Sequence, residues 1–173
     1  MVKKLLAALC FVVATSAMAT TYYVDNSQAY CPASDPLVCT VGQPCCTINS
    51  GLAKWSVAGD VVTVNAGTYA DTISIPVKIG TCAAPFVLQG DTGETVILTS
   101  AIIFSTPTTT GNGQITIDNF TIRSSTIPAI SVPATVTSGK AWQNIVVSNV
   151  TIDKITSGVC VICNSPGSGG GGG

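Results

Sequence analysis

The sequence predicts an all-β chain: a right-handed parallel β-helix, a solenoid with three strands per coil and about four coils, with a short N-terminal capping helix. Strand-like runs of only about four residues, rich in Val, Ile and Thr, alternate with turn residues. Three of these runs recur with one common offset of about 30 residues. Charged residues make up only 9% of the chain, so Thr, Ser and Asn must supply the polar surface of exposed strands.

Residues 1–19 predict a secretory signal peptide. Lys3 and Lys4 form a positive start, residues 5–13 an apolar run, and residues 17–19 a small-x-small cleavage site. The apolar run is shorter than the ~20 residues of a membrane span, so we expect no span. A lipid anchor at Cys10 is disfavoured because the side chain before it is too large. We expect the protein to be secreted, periplasmic or displayed at the cell surface.

Charge and composition exclude several classes of function. Without Lys3 and Lys4 the chain has five basic and eight acidic residues, a net charge of −3, and no basic patch for nucleic acid. The chain has no histidine, which excludes Ser-His triads, Cys-His pairs and imidazole metal sites.

Seven cysteines remain after cleavage, and export to an oxidising compartment favours disulfides. The disulfide candidates are Cys31, Cys39, Cys45, Cys46 and Cys82. The first four lie in a turn-rich stretch, which predicts a stapled loop, and Cys82 is a candidate partner for one of them. The spacing leaves the pairing open, and an odd number leaves one thiol unpaired or joined to another chain.

Residues 20–58 predict an opening strand at 21–25, the Cys-rich loop and a helix over 47–57. Thr47 is the expected N-cap, and Ile48, Leu52 and Trp55 recur on one helical face. Gly51 counts against the helix. A short amphipathic helix before a set of short strands suits a cap that covers the apolar end of a solenoid.

Residues 59–163 predict the coils. Runs at 115–118, 120–123 and 129–132 recur at 145–148, 150–153 and 159–162. A comparable trio at 86–89, 95–98 and 101–104 precedes them, which sets 95–98 beside 120–123. Runs at 61–64 and 72–75, with a turn at 66–67 between them, begin one more coil. Residues 164–173 form a flexible Gly/Ser-rich tail. No cap is visible after the last run, so we expect further coils or a partner that covers it.

Alternation along these runs predicts which side chains point inward. The inward residues are Ile115, Ile117, Phe120 and Ile122, stacked on Ile145, Val147, Val150 and Ile152. Asn119 and Asn149 fall at the bend between two sides. Asn tolerates the left-handed conformation there, and each is expected to bond its counterpart one coil away in a ladder.

Residues 22–98 resemble the N-terminal part of right-handed parallel β-helix proteins of the pectin-lyase-like superfamily. The shared pieces are YYVD, a TI helix start, GDVVTVNAGTY followed by an acid at Asp71, a GT-x-x-x-P insert before PFVLQG, and GETVIL. The resemblance implies the fold and its cap. It implies no single activity, because that superfamily includes polysaccharide lyases, glycoside hydrolases, epimerases and noncatalytic surface proteins.

The resemblance to lyases would imply carboxylates that hold Ca²⁺ beside an Arg or Lys base on outward strand positions. The outward charges here are Asp118, Arg123, Asp153 and Lys154. Arg123 and Asp153 share one slot a coil apart, which favours a surface ion pair over a catalytic dyad. Asp118 is expected to face Ser148, so no carboxylate ladder exists for calcium. We expect no metal or cofactor, and Ca²⁺ only if a lyase site lies beyond this chain.

The remaining motif is the lone C-x-x-C of Cys160 and Cys163. Zinc would need a second pair of ligands, and Cys160 aligns with inward Ile130, which predicts a buried core thiol. Trp142 is interpreted as a packing residue in preference to one that stacks on sugars.

We therefore expect an exported β-helix module from a carbohydrate-binding or polysaccharide-degrading protein, with polysaccharide as its partner. If the protein is an enzyme, it is a polysaccharide lyase or glycoside hydrolase. No complete active site is visible, so the chain alone is expected to be inactive, and catalytic and substrate-binding residues stay unassigned. The alternative is a noncatalytic, adhesin-like surface protein.

Overall fold

The computed structural model describes residues 18–31, 34–77, 83–106, 114–123, 129–132, 142, 144–153 and 162–164. Within these ranges the chain is mainly β, with one short helix, and every pairing between its strands is parallel. No helix among these residues is long and apolar enough to cross a membrane.

The elements follow one another as short strands with a single helix near the start. In chain order they are β1 (Thr21–Val24), α1 (Ile48–Lys54), β2 (Val61–Val64), β3 (Gly67–Tyr69), β4 (Ile73–Ile75), β5 (Phe86–Gly90), β6 (Val96–Leu98), β7 (Ile102–Phe104), β8 (Ile115–Ile122), β9 (Ile130–Val132), β10 (Ile145–Ile152) and β11 (Ile162–Asn164).

The strands form two sheets. In the first, β1, β2, β5, β8 and β10 are successive neighbours. Strand β6 pairs with the second half of β8, and β3 pairs with β6. The second sheet has the order β4, β7, β9, β11. The long strand β8 thus pairs with β5 through its first half and with β6 through its second half.

Partners in the strand pairs β5–β8, β8–β10 and β7–β9 are separated by roughly one sequence repeat, as predicted. Phe86 faces Ile115, and Ile115 in turn faces Ile145. In the second sheet Ile102 faces Ile130. The sequence repeat predicts each of these pairs, and the strand register confirms them.

The predicted register between the second strands of two repeats is wrong by one position. Setting 95–98 beside 120–123 would match Leu98 with Arg123, but Leu98 pairs with Ile122. Side chains alternate between the two faces of a strand, so the predicted register would have placed buried Leu98 beside an outward side chain.

Two other strand predictions need correction. The sequence predicts a turn at 66–67 and no strand between residues 64 and 72, but residues 67–69 form β3, which pairs with β6. It places the last run at 159–162, whereas β11 begins at Ile162, and Ile162 rather than Cys160 faces Ile130. Cys160 itself lies outside the described residues.

The helix begins where predicted and ends three residues early. The Thr47 hydroxyl accepts a hydrogen bond from Ser50 N at 3.2 Å, which confirms the N-cap. The helix ends at Lys54, and Trp55 N donates to Leu52 O. Gly51 has a packing role, because a Cβ there would lie 2.8 Å from the Val24 Cγ2 atom of β1.

The core lies between the two sheets and α1. The predicted apolar face of the helix is buried, and Trp55 contacts Phe86 at 5.2 Å between ring centroids. The four predicted inward residues of β8 are at most 2% exposed, while the four of β10 are partly buried and pack against this core. Trp142 meets Phe104 edge-on at 5.0 Å and donates to Ser105 O, which confirms its packing role.

The two bend asparagines adopt the predicted left-handed conformation, with φ of 59° at Asn119 and 51° at Asn149. The predicted ladder between them is wrong. The Asn119 amide donates to the carbonyl oxygens of Gly90 and Asp91, and the Asn149 amide donates to the Asp118 carboxylate. Nearby acceptors of the neighbouring strand and its turn therefore replace the partner asparagine.

Candidate ligand-binding cleft

The Cys-rich stretch is a stapled loop against the first strand. Disulfides join Cys31 to Cys46 and Cys39 to Cys45. This pairing leaves none of the four for Cys82, which lies outside the described residues. Tyr23 N donates to Cys39 O, and Cys45 N donates to Tyr23 O, both at 2.8 Å. The staples therefore hold the loop along the edge of β1.

Asp35 ties the same loop to the start of α1. Its carboxylate accepts hydrogen bonds from Cys46 N, the Ser50 hydroxyl and the Thr47 hydroxyl. Donors from this chain therefore contact both carboxylate oxygens. Asp35 acts as a clamp between the loop and the helix.

Asp25, at the end of β1, organises the first turn of the loop. Its carboxylate accepts bonds from Ser27 N at 2.9 Å, from the Ser27 hydroxyl at 2.7 Å and from Gln28. Burial alone would raise the pKa of Asp25, but these bonds, with one from Asn65, together hold the pKa below its usual value. Asp25 is therefore a structural anion.

A cleft of about 350 Å³ opens between the stapled loop and β3. The loop and helix start contribute one set of lining residues, and β3 with the two residues after it contributes the other. The lining residues are Asn26, Cys31, Asp35, Cys46, Thr47, Thr68, Tyr69, Ala70 and Asp71. Asn26 Nδ2 donates to Thr68 O at 2.8 Å and joins the two sides.

Tyr69 is the aromatic residue of the cleft lining, and it is only 4% exposed. Its hydroxyl donates to Asn65 O at 3.1 Å. Burial is the main cause that raises the pKa of Tyr69 to about 12. Its phenol therefore stays protonated near neutral pH and serves packing and shape.

The acidic side chains differ in whether they contact donors of this chain. All eight acidic residues lie in the part of the chain that the structure describes. Seven of them accept a hydrogen bond or form an ion pair within the chain: Asp25, Asp35, Asp60, Asp91, Glu94, Asp118 and Asp153. The eighth, Asp71, is exposed, has no bonded donor among the described residues and lines the cleft.

The outward charges of β8 and of the residues that follow β8 and β10 lie elsewhere and form the predicted contacts. Arg123 Nε and Asp153 Oδ2 are 3.1 Å apart, and both side chains are nearly half exposed. This confirms the ion pair, worth at most ~1 kcal/mol. The Ser148 hydroxyl donates to Asp118 Oδ1 at 2.7 Å, as predicted. Lys154 lies outside the described residues.

The described residues include no group of three or more Cys, Asp or Glu side chains arranged to hold a metal ion. The sequence does not predict the cleft. It places Asp71 just after a turn motif, but only the disulfide pairing and the unexpected strand β3 bring residues 26–47 opposite residues 68–71. The sequence feature that could have indicated β3, and with it one side of the cleft, is the GTY run, whose pattern fits a turn and a strand equally well.

Comparisons with protein-family models, with curated proteins and with solved structures find no match for this chain.

Proposed function

We propose that this chain is an exported, right-handed parallel β-helix module that binds polysaccharide without cleaving it. The parallel pairing of strands about one repeat apart supports the solenoid. Strands that occupy the same place in successive repeats are neighbours, as β4 is to β7 and β7 is to β9. Stacked coils have this hydrogen-bonding pattern, and connections between parallel strands are right-handed in nearly all proteins.

Export is supported at both the N-terminus and the stapled loop. Residues 1–19 have the three parts of a signal peptide. The two disulfides fit an oxidising compartment, where such bonds form and persist.

The single observation that favours binding over catalysis is that, of the two acids in the cleft, only Asp71 has no bonded donor among the described residues. Glycoside hydrolysis uses two carboxyl groups ~5–9 Å apart. Asp35, the other acid of the cleft, already accepts bonds from Cys46 N, Ser50 and Thr47. Arg123, a candidate base on the coils, is engaged by Asp153. The described residues thus provide a place for a ligand without an acid–base pair.

The shape and lining of the cleft suit a sugar. Its volume of about 350 Å³ lies in the lower part of the range of ligand pockets, which is enough for a short saccharide segment. Amide, hydroxyl and carboxylate groups from Asn26, Thr68 and Asp71 line it. Such groups bond sugar hydroxyls.

A second candidate function is display by a noncatalytic surface protein. One outward row of side chains runs across five paired strands and is uncharged: Thr21, Val61, Val87, Thr116 and Val146. A regular row of this kind serves as a rigid spacer without any ligand.

The test uses the mature chain from residue 20 with its disulfides intact. It is titrated against oligosaccharides from neutral, amine-bearing, N-acetylated and uronate polymers, and reducing ends and unsaturated products are measured alongside. We expect saturable binding to at least one class and no new products. Binding to none would favour the display function, and product formation would overturn the noncatalytic assignment.

A further inference from the structure

We propose that the cleft selects sugar units that carry a protonated amine, an inference that rests on the polysaccharide binding proposed above. It starts from Asp71, whose exposed carboxylate lines the cleft and has no bonded donor among the described residues. Because no bond to the described residues has to break, this carboxylate can accept donors from a ligand.

The sign of charge in the cleft favours a cation. Asp35 and Asp71 both line it, and no Lys or Arg is among its lining residues. Donors of the loop and helix contact Asp35 and leave its negative charge uncompensated by any cation of the lining. A uronate would bring a second negative charge beside these two, whereas an ammonium group would be attracted.

Neighbouring acceptors complement the carboxylate. The amide of Asn26 uses Nδ2 to bond Thr68 O, so its Oδ1 is left to accept. The side chain of Thr68 is exposed beside it and adds a hydroxyl. An ammonium group has three donors, which a carboxylate, an amide oxygen and a hydroxyl can accept together.

The distinction from neutral sugars follows from charge. A neutral hydroxyl can also bond the Asp71 carboxylate, but an ammonium group adds the Coulomb attraction between two opposite full charges. We expect about tenfold tighter binding of an amine-bearing oligomer than of its N-acetylated form. The binding should weaken as salt screens the charges.

The test compares glucosamine oligomers, N-acetylglucosamine oligomers and galacturonate oligomers by calorimetry on the wild-type chain, Asp71→Asn and Asp91→Asn. Asp91→Asn makes the same change of charge outside the cleft, and its Oδ1 can still accept from Thr92 N. Asp71→Asn should weaken binding of glucosamine oligomers about tenfold, with an unchanged unfolding midpoint. Asp91→Asn should bind like the wild type.

The outcomes separate the two proposals. If N-acetylated or uronate oligomers bind as tightly as the amine and Asp71→Asn has no effect, amine selection is overturned while polysaccharide binding stands. If no oligosaccharide binds, both are overturned. If Asp71→Asn and Asp91→Asn weaken the binding of glucosamine oligomers equally, a role for the cleft would also be contradicted. Such a result would show that binding depends only on the net charge of the chain.

Discussion

Asp60 is fully buried, and hydrogen-bond donors of the described residues contact its carboxylate. Its Oδ1 accepts a bond from Thr20 N at 2.8 Å, and its Oδ2 accepts bonds from Ser56 N at 2.8 Å and Val57 N at 2.9 Å. The three donors come from the start of β1 and from the chain after α1. The Asp60 side chain, directly before β2, therefore connects the start of β1 with the segment that follows α1.

We predict that Asp60→Asn destabilises the protein by at least about 2 kcal/mol, because hydrogen bonds to an ionised acceptor contribute ~1.5–3 kcal/mol each. An amide NH₂ in place of Oδ2 would face the N–H groups of Ser56 and Val57 and leave them without an acceptor. Urea unfolding of the disulfide-intact chain measures the loss. Asp91→Asn is the matched control, and equal stabilities of the two variants would refute this role for Asp60.

Asp71 differs from Asp60 in its surroundings. Aspartates that brace the fold accept hydrogen bonds from donors of this chain, as Asp25 does from Ser27 and Gln28. Asp71 is exposed and accepts no hydrogen bond from the described residues, although Thr72 follows it directly. An exposed carboxylate of this kind is the better candidate for a ligand contact.

At the scale of elements, β5 and β8 approach each other closely at their bend. A Cβ at Gly90 would lie 2.1 Å from Asn119 O, a backbone atom that cannot rotate away. Asn119 also donates through its side chain to Gly90 O and Asp91 O. Gly90 and Asn119 therefore form one unit: the glycine permits the approach, and the left-handed asparagine turns the strand and bonds across it.

We predict that Gly90→Ala lowers the free energy of unfolding by about 2 kcal/mol or more, as expected when a methyl group is forced into a packed position. Gly42→Ala is the control, because a Cβ at Gly42 meets nothing within 4 Å and the backbone there lacks a positive φ. Thermal unfolding followed by circular dichroism compares them. A Gly90→Ala variant as stable as Gly42→Ala would contradict the close approach.

Local sequence patterns predict some of the elements and miss others. Alternation in ITIDNFTI and the spacing of Ile48, Leu52 and Trp55 predict the buried faces of β8 and α1. Strand β3 is missed because Gly67 suggests a turn and its GTY run lacks the apolar residue at both ends that the equally short β4 and β6 have. The pairing with β6, which supplies the hydrogen bonds of β3, is visible only in three dimensions.

For the whole molecule, stability depends on two carboxylates that must stay ionised. Burial would raise the pKa values of Asp25 and Asp60, but hydrogen bonds outweigh it and lower both below the ordinary value of 3.8. The unfolded chain therefore takes up these protons at a higher pH than the folded chain does. The stabilisation is present above the unfolded pKa and is lost as pH falls through the folded values.

We accordingly predict that the urea midpoint changes little from pH 7 to pH 5 and falls steeply below about pH 4, where unfolded carboxyls begin to protonate. Asp60→Asn should show a shallower fall over that interval, because one of the two responsible groups no longer titrates. The measurement is a series of urea titrations on both proteins. Parallel curves for the two would indicate that Asp60 does not contribute to the acid dependence.

Local alternation and a nearly constant offset predict the repeat length, most of the strands, the inward residues of β8 and the ion pair of Arg123 with Asp153. Only the three-dimensional structure shows the disulfide pairing, the register of Leu98 with Ile122, and the acceptors of the bend asparagines. It also shows that Asp71 lines a cleft with the stapled loop. The disulfides and the cleft join residues that no repeat relates, and the register and the asparagine contacts depend on one-residue shifts that an approximate offset does not resolve.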